Sequence, residues 1–380
     1  MVLESLIIQN IRNHTVSEFQ FPDNGILLWG ENGAGKTAVL ESISLLCTSR
    51  SFKTTSDRSI VNKDAEECMV GGSIRSDTGS RHFIELQYGA LRGRKQISLD
   101  NSKLHSSVDL IGKFPIVQLS PEYRSISTGG PRDRRAFLDF VISQLHHSYL
   151  LDLIEYRKIV KQRNALLSSS GVSVSEIQAR TEPWDEQLAH LIVRIVRQRM
   201  EFVEVFGPIF RAGYDSIIVD GEVPSLQYRG TVDVDFYGSG ASDNVRQQMG
   251  LQFRQDFRRG LTTIGPHRDD LEILLNGMDV RNHASQGQHK SILIALKLAE
   301  YRLLAKQLDE RPLLLLDDIF GELDDRRLKR IMNLIDSVGQ SFITSANRSV
   351  LRHFPKHWVD TSVIQIEHGS IVDHVQAGAL

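Results

Sequence analysis

Hydrophobic residues near the start of the chain follow the pattern of a buried strand and then that of a helix. The run Ile26-Leu27-Leu28-Trp29 stops at Gly30, as a short buried strand does. A helix is predicted to begin near Lys36, because apolar side chains then recur with helical spacing at Val39, Ile43 and Leu46. The start of the chain is therefore predicted to form strand, strand, loop and helix.

Alternating polar and apolar positions predict antiparallel strands further along. Residues 84–88 and 96–99 alternate with a period of two, which is typical of strands with one buried face. Residues 271–275 and 278–280 flank Asn276-Gly277, a dipeptide that favours a tight hairpin turn. Two hairpin regions are therefore expected, far apart in the sequence.

The middle of the chain has the pattern of long helices. No Gly or Pro occurs between Arg132 and Ser170, and residues 184–206 are likewise uninterrupted. We predict an antiparallel helical arm, broken in places, with a polar turn-rich segment at 168–183. The loop at 230–244, rich in Gly, Ser and Asp, is expected to be mobile.

Buried-strand patterns return near the end of the chain. A helix is predicted at about 288–308, and apolar runs at 313–316 and 341–344 predict parallel strands. The predicted fold class is therefore α/β: a head with a mixed sheet, interrupted by a mainly helical second lobe. The predicted boundaries are 1–120 for the first part of the head, 121–259 for the lobe and 260–380 for the rest of the head.

Composition narrows the class of protein. The chain has 380 residues, 41% hydrophobic and 24% charged, with a formal net charge of −2. These values are ordinary for a folded protein and exclude wholesale disorder. They also make any nucleic-acid site a local patch. Two cysteines cannot build a disulfide framework, and no membrane span is visible, so a cytoplasmic location is expected.

A complete phosphate-loop motif follows the first buried strand. Its eight residues match G-x-x-x-x-G-K-[ST]: Gly30, Glu31, Asn32, Gly33, Ala34, Gly35, Lys36 and Thr37. Backbone N–H groups of such a loop surround a phosphate, the lysine neutralises it, and the hydroxyl ligates Mg²⁺. ATP with Mg²⁺ is the expected ligand.

Two carboxylates end the predicted strand at 313–316. Asp317 is expected to ligate Mg²⁺ with Thr37, and Asp318 is a candidate for orienting the attacking water. An acidic residue after a buried strand is common, so this signal depends on the phosphate loop that accompanies it.

A second predicted anion site begins the helix at about residue 288. Ser285, Gln286, Gly287 and Gln288 resemble the signature motif of ATP-binding-cassette (ABC) ATPases. A serine hydroxyl, a glycine N–H and a helix N-terminus can together hold a phosphate. The alternative is an ordinary N-cap, because serine is a favoured capping residue. Gly321-Glu322-Leu323-Asp324, after the carboxylates, favours the ABC interpretation and makes Asp324 a nucleotide-binding candidate.

Further motifs resemble the RecF family of bacterial DNA replication and repair proteins. Those motifs are Arg50-Ser51-Phe52-Lys53, Pro121-Glu122, Gly129-Gly130-Pro131, 134–139, 161–167, Trp184-Asp185, 265–271 and Ser285-Gln286-Gly287-Gln288. The resemblance implies a P-loop ATPase head of the ABC type, ATP-dependent homodimers and binding to single- and double-stranded DNA at gaps or junctions. It also implies partnership with RecR and RecO in loading recombinase.

The resemblance assigns further roles and indicates slow chemistry. Gln118 would link the γ-phosphate and Mg²⁺ to the second lobe, as a catalytic and metal-binding residue. Asp318 stands where typical ABC ATPases have Glu, and Ser345 stands where many relatives have His. A shorter acid reaches water less well, so slow hydrolysis, suited to a timer, is expected.

Contacts with DNA are predicted less sharply. Three arginine clusters are candidates: Arg132, Arg134 and Arg135; Arg194, Arg197 and Arg199; Arg254, Arg258 and Arg259. For each cluster a solvated helix face is the favoured alternative. The motif at 267–270 (His-Arg-Asp-Asp) is interpreted as a structural hydrogen-bond cluster.

Two other function classes stay open from the residues alone. One is a small-molecule P-loop kinase, which would share the phosphate loop but would not need the signature motif or the arm. The other is a nucleotide-gated protein scaffold without significant ATPase activity, which the Asp318 substitution keeps possible. A DNA-stimulated ATPase assay would separate the three classes.

Overall fold

The computed structural model describes residues 1–91, 93–169, 171–218, 221–234, 240–318, 329–330, 332, 335, 338–354 and 361–376. The described chain forms two compact units. The first unit comprises Met1–Arg124, Gly213–Asp220 and Leu293–Leu380, and the second comprises Ser125–Ala212 and Gly221–Ile292. The inserted unit therefore extends beyond the predicted boundary at residue 260. Strands after residue 269 pair within this second unit.

The helices and strands follow one another in the order typical of a split domain. The strands are β1 (Val2–Ile11), β2 (His14–Gln20), β3 (Gly25–Trp29), β4 (Glu67–Arg75), β5 (Arg81–Gly89), β6 (Arg94–Leu99), β7 (Ser102–Lys103), β8 (Ile116–Leu119), β9 (Pro224–Arg229), β10 (Asp270–Leu275), β11 (Met278–Asp279), β12 (Leu313–Leu316), β13 (Ser341–Ser345), β14 (Ser362–Glu367) and β15 (Ser370–Gln376). The helices are α1 (Lys36–Thr48), α2 (Ser125–Thr128), α3 (Pro131–Leu145), α4 (His147–Leu167), α5 (Val174–Ile217), α6 (Ala241–Arg259), α7 (Val280–His283) and α8 (Gln286–Leu308).

The first unit contains two six-stranded sheets. One is antiparallel, in the order β2-β1-β4-β5-β6-β7. Its β5 and β6 pair antiparallel, Ile84 opposite Leu99, which confirms the interpretation of the alternating pattern. Helix α1 is buried along most of its length, and its Val39, Leu40 and Ile43 join a core shared with strands of both sheets.

The other sheet is mixed and determines where the site lies. Its order is β15-β14-β3-β13-β12-β8, with β14, β3, β13, β12 and β8 parallel and β15 antiparallel. Trp29 pairs with Ser345, and Leu316 with Ile343. The carboxyl ends of β3, β12 and β13 therefore meet at one edge, where polar residues following each strand can converge.

The second unit is mainly helical, with a three-stranded sheet in the order β11-β10-β9. The hairpin between β10 and β11 turns at Asn276 and Gly277, both at positive φ (52° and 77°), as the sequence predicts. The long helical pattern is broken at His146, between α3 and α4.

Two predicted loops are partly wrong. Helix α5 begins at Val174 and contains Pro183, whereas 168–183 was expected to be turn-rich. Proline removes one backbone hydrogen bond, but burial of Ile177 and Leu188 on either side favours the continuous helix. The predicted loop at 230–244 also ends early, because α6 begins at Ala241, and residues 235–239 of that loop lie outside the described residues. Within the described residues, no helix is both long enough and apolar enough to cross a membrane.

Candidate nucleotide site

The phosphate loop joins β3 to α1, and its lysine is held against the loop. Lys36 is buried, and its Nζ donates to the carbonyl oxygens of Gly30 (2.7 Å) and Glu31 (2.8 Å). Burial lowers the pKa of Lys36, while Asp318 and Asp317 act in the opposite direction. The ammonium therefore lies inside the curve of the loop, where a phosphate binds in this motif.

The turn between β1 and β2 clamps this loop from outside. Asn13 Nδ2 donates to the carbonyls of Gly33 (3.1 Å) and Ala34 (3.0 Å), and His14 Nε2 lies 3.1 Å from the carbonyl of Gly35. Gly35 has φ 118°, and a Cβ there would lie 2.6 Å from His14 Nε2. Glycine is thus required by both conformation and space. This clamp is not predicted from the sequence, in which its only signal is a polar turn between two strands.

Thr37 and Asp317 meet as the two motifs predict. The Thr37 hydroxyl lies 2.9 Å and 3.0 Å from the two carboxylate oxygens of Asp317. Thr344, at the end of β13, also donates to Asp317 Oδ1 (2.7 Å). Burial raises the pKa of Asp317, and the hydrogen bonds from Thr344 and Thr37 oppose that rise. The role of Thr344 in the site is not predicted from the sequence.

Asp318 stands at the mouth of the same cavity. Its backbone is left-handed (φ 47°), and its N–H donates to the Thr344 hydroxyl (2.9 Å). Its side chain is exposed, whereas Asp317 is 5% exposed. The adjacent carboxylates therefore face different surroundings, one fixed in the sheet edge and one open to solvent.

The cavity has a volume of about 240 Å³. Its lining consists of Arg12, Asn13, Asn32, Gly33, Gly35, Lys36, Thr37, Ala38, Glu41, Lys53, Asp317, Asp318 and Thr344. The donor set fits Mg²⁺, because a hydroxyl and a carboxylate stand together and phosphate oxygens complete such sites. Within the described residues, no cluster of three or more His, Cys, Asp or Glu could hold a metal alone.

Gln118 is not brought to this cavity. It lies in β8, 3% exposed, and its amide is engaged by two neighbours. Its Nε2 donates to Ser44 Oγ (2.7 Å), and Tyr123 donates to its Oε1 (2.8 Å). The arrangement gives no support to the predicted contact of Gln118 with Mg²⁺. Ser345 likewise turns to the carbonyl of Asn347 (2.9 Å).

The signature motif begins helix α8 with a reciprocal cap. Ser285 Oγ accepts from the N–H of Gln288 (3.2 Å), and Gln288 Oε1 accepts from the N–H of Ser285 (2.7 Å). The N-cap interpretation is therefore right about the local geometry. Ser285 and Gln286 are nevertheless exposed, as a surface for a partner requires, while Gly287 follows them in the first turn. Asp324 lies outside the described residues.

The arginine candidates separate into buried and exposed groups. Arg134 is buried in a bidentate pair with Asp270 (2.8 and 2.7 Å), and Arg199 is 1% exposed against Asp139. These two cannot contact DNA without losing those partners. Arg194 pairs with Asp152 at the surface. The other exposed members are Arg132, Arg197, Arg254, Arg258 and Arg259, and Arg135 is half-buried.

The motif at 267–270 is a structural cluster, as interpreted. Asp269 accepts hydrogen bonds from Thr231 and Tyr228. His267 Nδ1 lies 2.5 Å from the Tyr156 hydroxyl, and its Nε2 lies 3.0 Å from the carbonyl of Thr262. Burial lowers the pKa of His267. These groups therefore satisfy one another's hydrogen bonds.

The mixed sheet, the phosphate loop and the strand-end carboxylates define an ABC-type P-loop ATPase head of the SMC kind. Residues 2–367 match the family described as RecF/RecN/SMC N terminal domain. The chain is 38% identical to the DNA replication and repair protein RecF of Prosthecochloris aestuarii, over 97% of this chain and 99% of that protein. It is 36% identical to that of Salinibacter ruber, over 92% and 85%.

Solved structures agree with this assignment. A structure of the recombination mediator protein RecF-ATPrS in the RecFOR pathway superposes with a TM-score of 0.88 at 31% identity, covering 98% of each chain. An Smc head domain from Pyrococcus furiosus, with a TM-score of 0.57 at 14% identity, shares the fold alone. The predicted fold class is confirmed, and the chain belongs to the RecF family of DNA replication and repair proteins.

Proposed function

We propose that this chain is an ATP-gated, DNA-binding recombination mediator whose nucleotide is shared between two copies. The observation that carries the proposal is the pairing of a complete phosphate-loop site with an exposed Ser285 at the start of α8. Relatives are described as acting in the RecFOR pathway, one as RecF-ATP. By that likeness RecR and RecO are the proposed protein partners, and gapped or junction DNA the proposed substrate.

In the proposed ground state, the phosphate loop of one copy holds the triphosphate. Lys36 and the loop N–H groups neutralise the β- and γ-phosphates, and the Asn13–His14 clamp keeps the loop in shape. Thr37 and Asp317 would hold Mg²⁺, which supplies positive charge against the phosphate oxygens. The first turn of α8 in the second copy then donates its hydroxyl and N–H groups to the γ-phosphate.

Hydrolysis in this arrangement is proposed to be slow and DNA-dependent. Asp318 is the residue placed to orient the attacking water, and Thr344 fixes its backbone. Gln118 and Ser345 contribute no group to the cavity. Fewer positioned groups stabilise the transition state less, so ATP acts as a timed link between copies.

The test separates the capping role of Ser285 from its proposed phosphate role. Asp and Asn both cap helices well, but only Asp repels a γ-phosphate. Sedimentation of Ser285→Asn and Ser285→Asp with ATP, ADP and no nucleotide should give ATP-specific dimers for Asn and monomers for Asp. ATP binding by the separate subunits should be equal. ATP-dependent dimers of Ser285→Asp would contradict the shared site.

A further inference from the structure

The second unit contains a cavity of about 250 Å³ that is rich in guanidinium groups. We call it the arginine pocket. It is lined by Arg132, Arg135, Asp139, Arg157, Arg199 and His267, among others. It is separate from the phosphate-loop cavity, with which it shares no residue.

One arginine of the pocket, Arg199, is buried and hydrogen-bonded to its neighbours. Arg199 donates to Asp139 (2.7 Å), to the Tyr149 hydroxyl (2.9 Å) and to the carbonyl of Pro266 (2.7 Å). Asp269 lies 3.9 Å away. Each of its nitrogens already has a partner, so Arg199 contributes mainly charge to the pocket.

The other three arginines, Arg132, Arg135 and Arg157, have N–H groups that make no hydrogen bond within the described residues. Arg132 is exposed and makes no hydrogen bond or ion pair within the described part of the chain. Arg135 uses one nitrogen, which donates to the backbone carbonyl of Asp269 (2.6 Å). Arg157 uses one nitrogen toward Asp139 (3.0 Å) and is 57% exposed.

Positive charge exceeds negative charge in this pocket. Four arginines and one carboxylate, Asp139, line the pocket, and Asp269 and Asp270 lie close to it, so a surplus of positive charge remains in the lining. Burial lowers the pKa of Arg135, and the nearby charge of Arg199 lowers it further. Arg132 and Arg135 also lie in the first turns of α3, whose N-terminus adds positive potential.

We propose that the arginine pocket binds a phosphate group through Arg132, Arg135 and Arg157. Guanidinium forks match the oxygen spacing of phosphate, and the cavity has room for one phosphate and the atom it is attached to. The source is either free phosphate or a phosphodiester of nucleic acid. The second source rests on the proposed function, and the first does not.

The first arm of the test uses inorganic phosphate alone. In a Lys36→Ala background, which removes the main cation of the other site, phosphorus NMR should detect line broadening of inorganic phosphate by the full chain. Adding Arg132→Gln should weaken binding about 10-fold or more. Adding Arg180→Gln, a matched loss of charge at an exposed i,i+4 pair on α5, should not. Equal broadening by all three proteins would overturn the proposal.

The second arm identifies the source. Binding of a single-stranded oligonucleotide is followed by anisotropy at several salt concentrations, for the wild type, Arg132→Gln and Arg180→Gln. If the pocket holds a backbone phosphate, the salt slope for Arg132→Gln falls by about 0.7. If only free phosphate enters, the slope is unchanged while the NMR effect is lost. A wild type that binds no oligonucleotide would sink the proposed function and leave the phosphate arm intact. Arg132 has no partner to lose, so misfolding does not confuse this variant.

Discussion

The nucleotide cavity and the buried cluster around Arg199 contain similar charged residues but have different roles. The cavity is a candidate binding site, and the cluster stabilises the fold. Lys36, Thr37 and Asp318 line an open cavity, although Lys36 is buried against the loop carbonyls and Thr37 is hydrogen-bonded to Asp317. In the cluster, Arg199, Asp139 and Tyr149 satisfy one another and are almost fully buried. The difference teaches that an open cavity beside the charged groups, rather than charge itself, distinguishes a site from a scaffold.

The same distinction divides the sequence motifs. The motif at 267–270 has the residue types of a catalytic or metal site. Its Asp269 and Asp270, however, accept hydrogen bonds from Thr231 and Arg134. Glycine in the phosphate loop has no Cβ, so the backbone N–H groups can approach a phosphate closely. Variants in the cluster should therefore change stability, and variants in the cavity should change chemistry.

The largest expected effect is on the stability of the cluster. Arg199→Ala leaves Asp139 buried with fewer partners, so the free energy of unfolding should fall by about 3–5 kcal/mol. Arg194→Ala, on the same helix and ion-paired at the surface, should cost less than about 1 kcal/mol. Urea unfolding followed by circular dichroism measures both. Equal losses would remove the distinction between the two arginines.

Hydrolysis should depend on Asp318 by about 100-fold. Asp318→Ala removes the group that orients water and leaves the phosphate loop unchanged, so single-turnover hydrolysis slows while ATP affinity is retained. Ser345→Ala is the control, because Ser345 lies nearby but turns to Asn347. Rapid hydrolysis by Asp318→Ala would instead favour another base, and no hydrolysis by the wild type would favour a pure scaffold.

Affinity for ATP should depend on Lys36 to a similar or slightly smaller degree. Charged hydrogen bonds contribute about 1.5–3 kcal/mol, so Lys36→Ala should bind a fluorescent ATP analogue about 10- to 100-fold more weakly. Lys113→Ala, an exposed lysine outside the cavity, removes the same charge and should bind normally. A Lys36→Ala protein with normal affinity would show that the loop is not the binding site.

The smallest expected effect is a pH dependence that belongs to the second unit. Burial lowers the pKa of His267 in the folded chain, so below about pH 6.5 the unfolded chain takes up a proton that the folded chain does not. Stability should therefore fall as the pH falls from 7.5 to 5.5 in phosphate-free buffer. His267→Asn should reduce that slope, by about 1 kcal/mol over the range, whereas His147→Asn, exposed on α4, should not. An unchanged slope in His267→Asn would assign the effect to another group.

Local patterns predicted those parts of the molecule that local chemistry determines. The phosphate loop, strand β12 and the turn at Asn276-Gly277 are specified by a few adjacent residues, and each is found where predicted. Thr37 and Asp317 could be paired from sequence, because carboxyl ends of parallel strands converge at one sheet edge.

The parts that could not be predicted depend on distant residues. The Asn13–His14 clamp exists because β1 and β2 belong to a different sheet that shares its core with α1. Gln118 is held away from the cavity by the neighbouring Tyr123 and by Ser44, which lies far from it in the sequence. Pro183 lies inside α5 because burial outweighs the propensity of one residue.

A complementation experiment tests the shared nucleotide most directly. Lys36→Ala lacks a working phosphate loop but keeps Ser285, whereas Ser285→Asp keeps the loop and lacks a compatible cap for the phosphate. With ATP, each variant alone should sediment as a monomer, and an equimolar mixture should form heterodimers with one intact site. A mixture that stays monomeric while the wild type dimerises, or Ser285→Asp dimers formed without the partner variant, would contradict a triphosphate held between two copies.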